Sequence, residues 1–199
     1  MAGDAAHRAI GIPVLTTPRL ILRPLEIADV PAVQAGFPRW EVVRFLDAVV
    51  PWPYPPDGAL TYIGGLVLPG MQRGEEWHWS LRPRTAVDSL IGVISLRLKP
   101  GDNRGFWLDP AWQGQGLMSE ACDVVTGYWF ETLGQPVLRV VKAVDNVRSR
   151  RMSERGGMRL TNTVERDFVC GRLAAEEWEI TREEWLGHRL EFPARENPP

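Results

Sequence analysis

Residues 103–119, Asn103-Arg-Gly-Phe-Trp-Leu-Asp-Pro-Ala-Trp-Gln-Gly-Gln-Gly-Leu-Met-Ser119, decide the fold of this chain. Gly105–Leu108 reads as a short apolar strand. Pro110 breaks it, because proline removes a ladder donor and restricts Asp109 before it. Trp112-Gln113-Gly114-Gln115-Gly116 follows, and a helical run opens at Leu117. Strand, glycine-bearing turn and helix start together form an anion cradle. Glycines let backbone N–H groups approach a ligand, and a helix N-terminus adds unpaired donors and a positive dipole end. From the residues alone the stretch is either a site for a phosphate or pyrophosphate or a tight turn with no ligand. It carries neither Gly-x-Gly-x-x-Gly after the strand nor a Gly-Lys-Ser/Thr ending.

Downstream, Leu117, Ala121, Val124 and Tyr128 recur at helical spacing, with Met118, Cys122, Val125 and Trp129 beside them. Ser119, Asp123, Thr126 and Glu131 mark the other side, so a helix over Leu117–Leu133 packs on a sheet. Gly134-Gln135-Pro136 ends it. Val137–Val144, nearly continuous apolar with Arg139 and Lys142 interspersed, reads as a strand buried on both faces. Asp145-Asn146 opens a helix to about Arg155. Met158–Val169 and Leu173–Arg182 read as strands, and Glu183–Leu190 as a short helix.

Upstream, Glu76–Arg84 and Ser89–Lys99 read as strands. Trp77, Trp79 and Leu81 alternate with His78 and Ser80, the pattern of a half-buried strand. Asp57–Gln72 reads as a helix interrupted at Gly64-Gly65 and Pro69-Gly70. Pro51-Trp-Pro-Tyr-Pro-Pro56 is a stiff loop, a connector or an aromatic wall. Trp40–Leu46 and Asp29–Gly36 read as short helices, and Arg19–Leu25 as a strand. Residues 1–16, with apolar docking at Ile10–Leu15, and 191–199 are expected to be tails around one domain over 17–190. The order fits an α/β or α+β mixed sheet with helices on both faces.

The 199 residues carry a net charge of −2, which argues against nucleic-acid binding, where a basic excess is usual. No apolar run is long enough to span a membrane. Cys122 and Cys170 lie outside any Cys/His cluster and the three histidines are scattered. No metal is therefore expected, and reduced cytoplasmic thiols are.

Gln113-Gly114-Gln115-Gly116-Leu117-Met118 resembles the Gln/Arg-x-x-Gly-x-Gly/Ala signature of the GNAT superfamily of acyl-CoA N-acyltransferases. Met118 stands where the family usually has Gly or Ala. Trp107-Leu108-Asp109-Pro110, with Gly116 and Glu120-Ala121, resembles its RimJ/RimL-type branch, as does the run from Thr17 to Leu25 with Asp29. Asn146-Val-Arg-Ser149 through Gly157-Met158 resembles the family's Asn-x-x-Ser/Ala…Gly-Phe helix. The resemblance implies a seven-stranded, largely antiparallel sheet whose two central parallel strands splay apart to admit pantetheine. It implies acetyl-CoA as co-substrate without a metal, direct attack by an amine acceptor (a protein N-terminus or a small molecule), and a possible homodimer.

The donor set implied is the strand Phe106, Trp107 and Leu108, then Gln113, Gly114, Gln115, Gly116, Leu117, Met118 and Ser119. Asn146 would bond the pantetheine amides, and Ser149 would attend the leaving thiolate. Ser153 falls where many relatives have a proton-donating tyrosine. Helical spacing puts Asn146, Ser149, Arg150 and Ser153 on one face, which adds Arg150 as a cation for the donor. The base is left open among Glu75, Glu120 and Glu165. Two rivals stand beside this reading: a non-catalytic CoA-sensing module and a nucleotide-phosphate binder.

Overall fold

The computed structural model describes residues 11–191. The expectations for residues 1–10 and 192–199 lie outside the described residues. In chain order come β1 (Leu15–Thr16), β2 (Leu20–Pro24), α1 (Val30–Gly36), α2 (Trp40–Val43), α3 (Gly58–Tyr62), α4 (Leu68–Arg73), β3 (Glu76–Pro83), β4 (Gly92–Arg97) and β5 (Arg104–Leu108). Then follow α5 (Leu117–Gly127), β6 (Val137–Ala143), α6 (Val147–Arg155), β7 (Arg159–Phe168), β8 (Gly171–Thr181) and α7 (Arg182–Glu191).

The strands form two antiparallel sheets, one ordered β1-β2-β3-β4-β5 and the other β6-β8-β7. This differs from the single seven-stranded sheet expected. The two-residue β1 adds an eighth strand, and among the described residues backbone hydrogen bonds join the two sheets at one end of β5 and β6. There the Asn103 N–H donates to the Arg139 carbonyl at 2.7 Å, and Asn103 Oδ1 accepts from the Arg139 N–H at 2.8 Å. Three residues further along both strands, Lys142 Nζ lies 5.4 Å from the centre of the Phe106 ring. The contacts advance in the same direction, so β5 and β6 run parallel. Beyond this joint β5 pairs only with β4, and β6 only with β8.

The strand β3 is buried on both faces rather than one. Trp77, Trp79 and Leu81 enter the main core with Leu117, Met118, Ala121, Cys122 and Val125 of α5. His78, Ser80 and Arg82 are buried on the opposite face, where the helices α1, α3 and α4 cover the sheet. Arg82 forms a buried ion pair there with Asp29. A central strand sandwiched between two helical layers has no solvent face, and its polar alternation reports internal hydrogen bonding instead.

Two apparent helix breaks are not breaks. Gly64-Gly65 sits in a single wide π-turn over Ile63–Val67 that joins α3 to α4. Pro69 then falls in the first turn of α4, a position that tolerates its missing N–H. A second π-turn, Tyr128–Thr132, extends α5, and the Trp129 indole N–H ties it to the Val137 carbonyl at 2.9 Å. Thr126, expected on the outer side of α5, is buried and donates to the Cys122 carbonyl at 2.6 Å.

Candidate active site

The Asp109 side chain accepts from the Ala111 N–H at 2.9 Å and closes the turn after β5. Gly114 (φ 79°) and Gly116 (φ 80°) then take left-handed backbone, which lets the chain double back into α5. Gly116 is the N-cap of α5 and no side chain caps that end. The first-turn N–H groups of Leu117, Met118 and Ser119 are therefore left for a ligand or water. The side chains of Leu117 and Met118 are buried in the core, so Met118 does not crowd the cradle and both residues offer only backbone. Gln113 works as a strut: its amide donates to the Leu108 carbonyl at 2.9 Å, and its Oε1 accepts from Arg148 at 2.8 Å. At the rim, Arg19 Nε lies 2.5 Å from Glu120 Oε1.

Backbone parity assigns the edges of β5. The Asp109 N–H bonds Ile91 O and Asn103 O accepts from the Arg97 N–H, both at 2.8 Å. Within β5, Gly105 and Trp107 thus spend their backbone groups on β4. Arg104, Phe106 and Leu108 turn theirs toward the gap beside β6. Gln113 occupies the Leu108 carbonyl, which leaves the N–H and C=O of Phe106 on the open edge, between Arg104 and the Leu108 N–H. Trp107 instead packs its ring 5.5 Å from Phe37, on the α1 side.

A chamber of about 550 Å³ fills the gap between the splayed strands and the helices above. Phe106, Trp107, Asn146 and Ser149 line it; the cradle residues 113–119, Leu108, Arg150 and Ser153 do not. Asn146 caps α6, its Oδ1 accepting from the Ser149 N–H at 3.3 Å. Arg150 is drawn away because Glu176 on β8 takes its Nε at 2.6 Å. Ser153 is fully buried and its Oγ has no hydrogen-bond partner. The shared helical face is real, but only its first turn reaches the chamber. One turn further, the face lies under β8 and the core.

Glu75, Glu120 and Glu165 are absent from the chamber wall. Glu75 pairs with Arg73 at 2.7 Å, Glu120 is held by Arg19 and Thr17, and Glu165 is exposed on β7. The wall carries His78 instead, its Nε2 2.6 Å from Glu76 Oε2. Burial drives the imidazole below its ordinary value despite Glu76, so at neutral pH it is uncharged. An uncharged ring that donates Nε2–H to Glu76 keeps a lone pair on Nδ1. The sequence signal was there: His78 shares the parity of Ser80 and Arg82, which a doubly buried strand turns into a second inner face.

The other missed group is Lys142, 6% exposed, whose Nζ donates to Ser149 Oγ at 2.8 Å. Burial, reinforced by Arg104, pushes its ammonium down to about 8. Above the joint, Tyr54, Tyr62, Phe37 and Trp107 make an aromatic wall. Tyr54 of the proline loop contributes to it, while Trp52 packs 5.6 Å from Trp40 instead. The Cys122 thiol is buried and pushed up by desolvation, which makes it a poor nucleophile. Among the described residues no group of three or more His, Cys, Asp or Glu could hold a metal, and no helix is long and apolar enough to cross a membrane.

The model of the acetyltransferase (GNAT) domain family matches residues 19–159. A provisionally named ribosomal N-acetyltransferase of Bacillus subtilis, YdaF, is 32% identical over 104 residues, 46% of this chain and 57% of that protein. The ribosomal-protein-serine acetyltransferase of Escherichia coli is 37% identical over 75 residues, 35% of this chain and 41% of that protein. The chain thus spans about half the length of these curated relatives. Among solved structures, a RimL ribosomal-protein α-N-acetyltransferase in complex with coenzyme A superposes with a TM-score of 0.71 at 21% identity, covering 85% of this chain and 97% of that one. A ribosomal-protein alanine acetyltransferase of Vibrio fischeri gives 0.73 at 14% identity, covering 87% and 98%. At these identities the two structures speak for the fold alone.

Proposed function

The chain belongs to the GNAT acetyltransferase family, and on that premise we propose that it transfers an acetyl group from acetyl-CoA directly to an α-amine, first of all that of a protein N-terminus. The observation that carries the reading is the joint between β5 and β6. The two strands are tied at Asn103–Arg139 and open beyond it, so the free Phe106 edge lies between the uncapped start of α5 and the chamber. Pyrophosphate on the α5 N-terminus, pantetheine along Phe106 and Asn146, and a thioester above the joint make one continuous path. The Phe106 N–H is the group set to receive the developing oxyanion.

The acceptor enters from the aromatic side. His78, oriented by Glu76, takes the proton of the attacking amine. The choice of an α-amine follows from proton affinities. With a pKa of ~8, about one-tenth of it is neutral at pH 7, against under about one-thousandth of a lysine at ~10.4. An imidazole held below its ordinary value suits the first and not the second. The names of the curated relatives support a ribosomal-protein N-terminus as the first acceptor to try.

The test is thiol release from acetyl-CoA with α-amine peptides, lysine peptides, polyamines and aminoglycosides in parallel. Release with α-amine peptides is the expected result. Lysine peptides used as efficiently near neutral pH would overturn the acceptor assignment. No release with any amine, while CoA still raises the melting temperature, would leave a binding module.

A further inference from the structure

We propose that Lys142 supplies the proton that neutralises the departing CoA thiolate, acting through the hydroxyl of Ser149. This rests on the acyl-transfer reading above. The geometry is directional. An ammonium can only donate, so the 2.8 Å contact from Nζ uses a lone pair of Ser149 Oγ and leaves its O–H free to turn toward another acceptor. The Asn146 cap fixes the Ser149 backbone, and both Lys142 and Ser149 face the chamber where β5 and β6 part. The ammonium also lies over the ring of Phe106, whose backbone is on the open edge.

What makes Lys142 unusual is the carboxylate it does not have. Its cross-strand neighbour on β8 is Glu176. That carboxylate is spent on Arg150 at 2.6 Å and on the Trp178 indole at 3.1 Å. Among the described residues, the contacts of the Lys142 ammonium are Ser149 and the Phe106 ring. A buried cation without a counterion is costly unless something anionic meets it. The charged and titratable groups around it are Arg104 from β5, Asp102 before β5 and Cys122 from α5. Burial and Arg104 loosen its proton, while Asp102 and Cys122 hold it.

The step balances. The amine nitrogen bonds the thioester carbon, and the C–S bond breaks with its electron pair on sulfur. Sulfur takes the Ser149 hydroxyl proton as Ser149 Oγ takes one from Lys142 Nζ. His78 loses the amine's proton to water, and the neutral Lys142 regains one from water. Lys142 is a positioning residue behind Ser149, and Arg150 and Glu176 in turn keep it uncompensated.

The test reads the thiol itself. Free CoA, wild type, Lys142→Met and Lys142→Arg, each saturated with CoA, are titrated by the ultraviolet absorbance of the thiolate. In wild type the bound thiol should ionise below its free value of about 8.5 but not below about 8, where Lys142 itself titrates, so that sulfur can still take the proton. In Lys142→Met that lowering should vanish with the CoA Kd changed less than about threefold. In Lys142→Arg the lowering should persist, because the charge and the donor remain. Turnover separates proton supply from charge: kcat should fall at least tenfold in both variants, since a guanidinium gives up no proton near neutrality. The same thiol ionisation in wild type and Lys142→Met would overturn the proposal while leaving acetyl transfer intact. Failure of wild type to bind CoA would overturn the donor reading and the proposal with it.

Discussion

Three glycines share one backbone conformation, and that coincidence separates strain from ligand contact. Gly101, in the turn between β4 and β5, has φ 79°, Gly114 has φ 79° and Gly116 has φ 80°. An alanine in left-handed backbone costs about 1–2 kcal/mol. In a chain of this size each kcal/mol lowers the melting temperature by about 2–4 °C, so each Gly→Ala variant should lose roughly 2–8 °C. Space differs little at the three sites. A Cβ at Gly101 or Gly114 meets nothing within 4 Å, and one at Gly116 lies 3.3 Å from the flexible end of Arg19. CoA affinity should nonetheless split them. On the proposed donor reading, a methyl group at Gly114 or Gly116 would stand in the cradle and keep a backbone N–H from a phosphate oxygen. A hydrogen bond to a charged group is worth about 1.5–3 kcal/mol, hence a roughly 10- to 150-fold weaker Kd. Gly101→Ala should bind CoA as wild type does. Differential scanning fluorimetry and calorimetric titration of the three variants supply both numbers. Equal CoA affinity in all three, alongside equal thermal losses, would refute the cradle.

Other perturbations follow the same geometry. His78→Gln should lower kcat by about 10²- to 10⁴-fold with CoA affinity unchanged. In wild type, activity should fall as pH drops through the His78 value, which burial holds below 6.5, and stopped-assay pH profiles should lose that acid limb in the variant. Lys142→Met should raise the melting temperature at pH 7 even as it slows turnover. The folded lysine sits at about 8 against an ordinary 10.5, so the charged form carries a penalty of about 3 kcal/mol below pH 8. That penalty is relieved between pH 8 and 10.5, and the stability gap between variant and wild type should close over that window in urea melts. Asp29→Ala should cost about 3–5 kcal/mol by stranding the buried Arg82. Gly92→Ala should cost about 1–3 kcal/mol by urea denaturation, since its Cβ would sit 2.4 Å from the Trp107 carbonyl oxygen.

The turn after β5 and the start of α5 were legible because their signals are local. Pro110, Gly114, Gly116 and the apolar period from Leu117 lie within one short stretch, and each constrains the backbone by its own chemistry. Asn146 was legible for the same reason, as a cap at a helix start. Lys142 and His78 were not, because what makes them chemical is tertiary. Lys142 stands in a strand whose neighbours are apolar, and sequence does not say that Arg150 claims the carboxylate across from it. His78 looked solvent-facing by alternation, and only the second helical layer over β3 turns it inward. Ser153 fails in the opposite sense: helical geometry put it on the Ser149 face, and burial beneath the core removed it from the chamber. Gly64-Gly65 read as a break by propensity, but a π-turn keeps Ile63 and Val67 buried on one side of it and the helix continues.

The donor is expected to lie along the Phe106 backbone of β5 and on the first-turn N–H groups of α5. Amide hydrogen exchange, followed by NMR with and without CoA, reads those groups directly. The Phe106 amide and the first-turn amides of Leu117, Met118 and Ser119 should exchange fast in the free protein and become protected by CoA. The Trp107 amide, already bonded to β4, should change little. Protection at Trp107 alone, or none at Phe106 and the α5 start while CoA is bound, would contradict the claim.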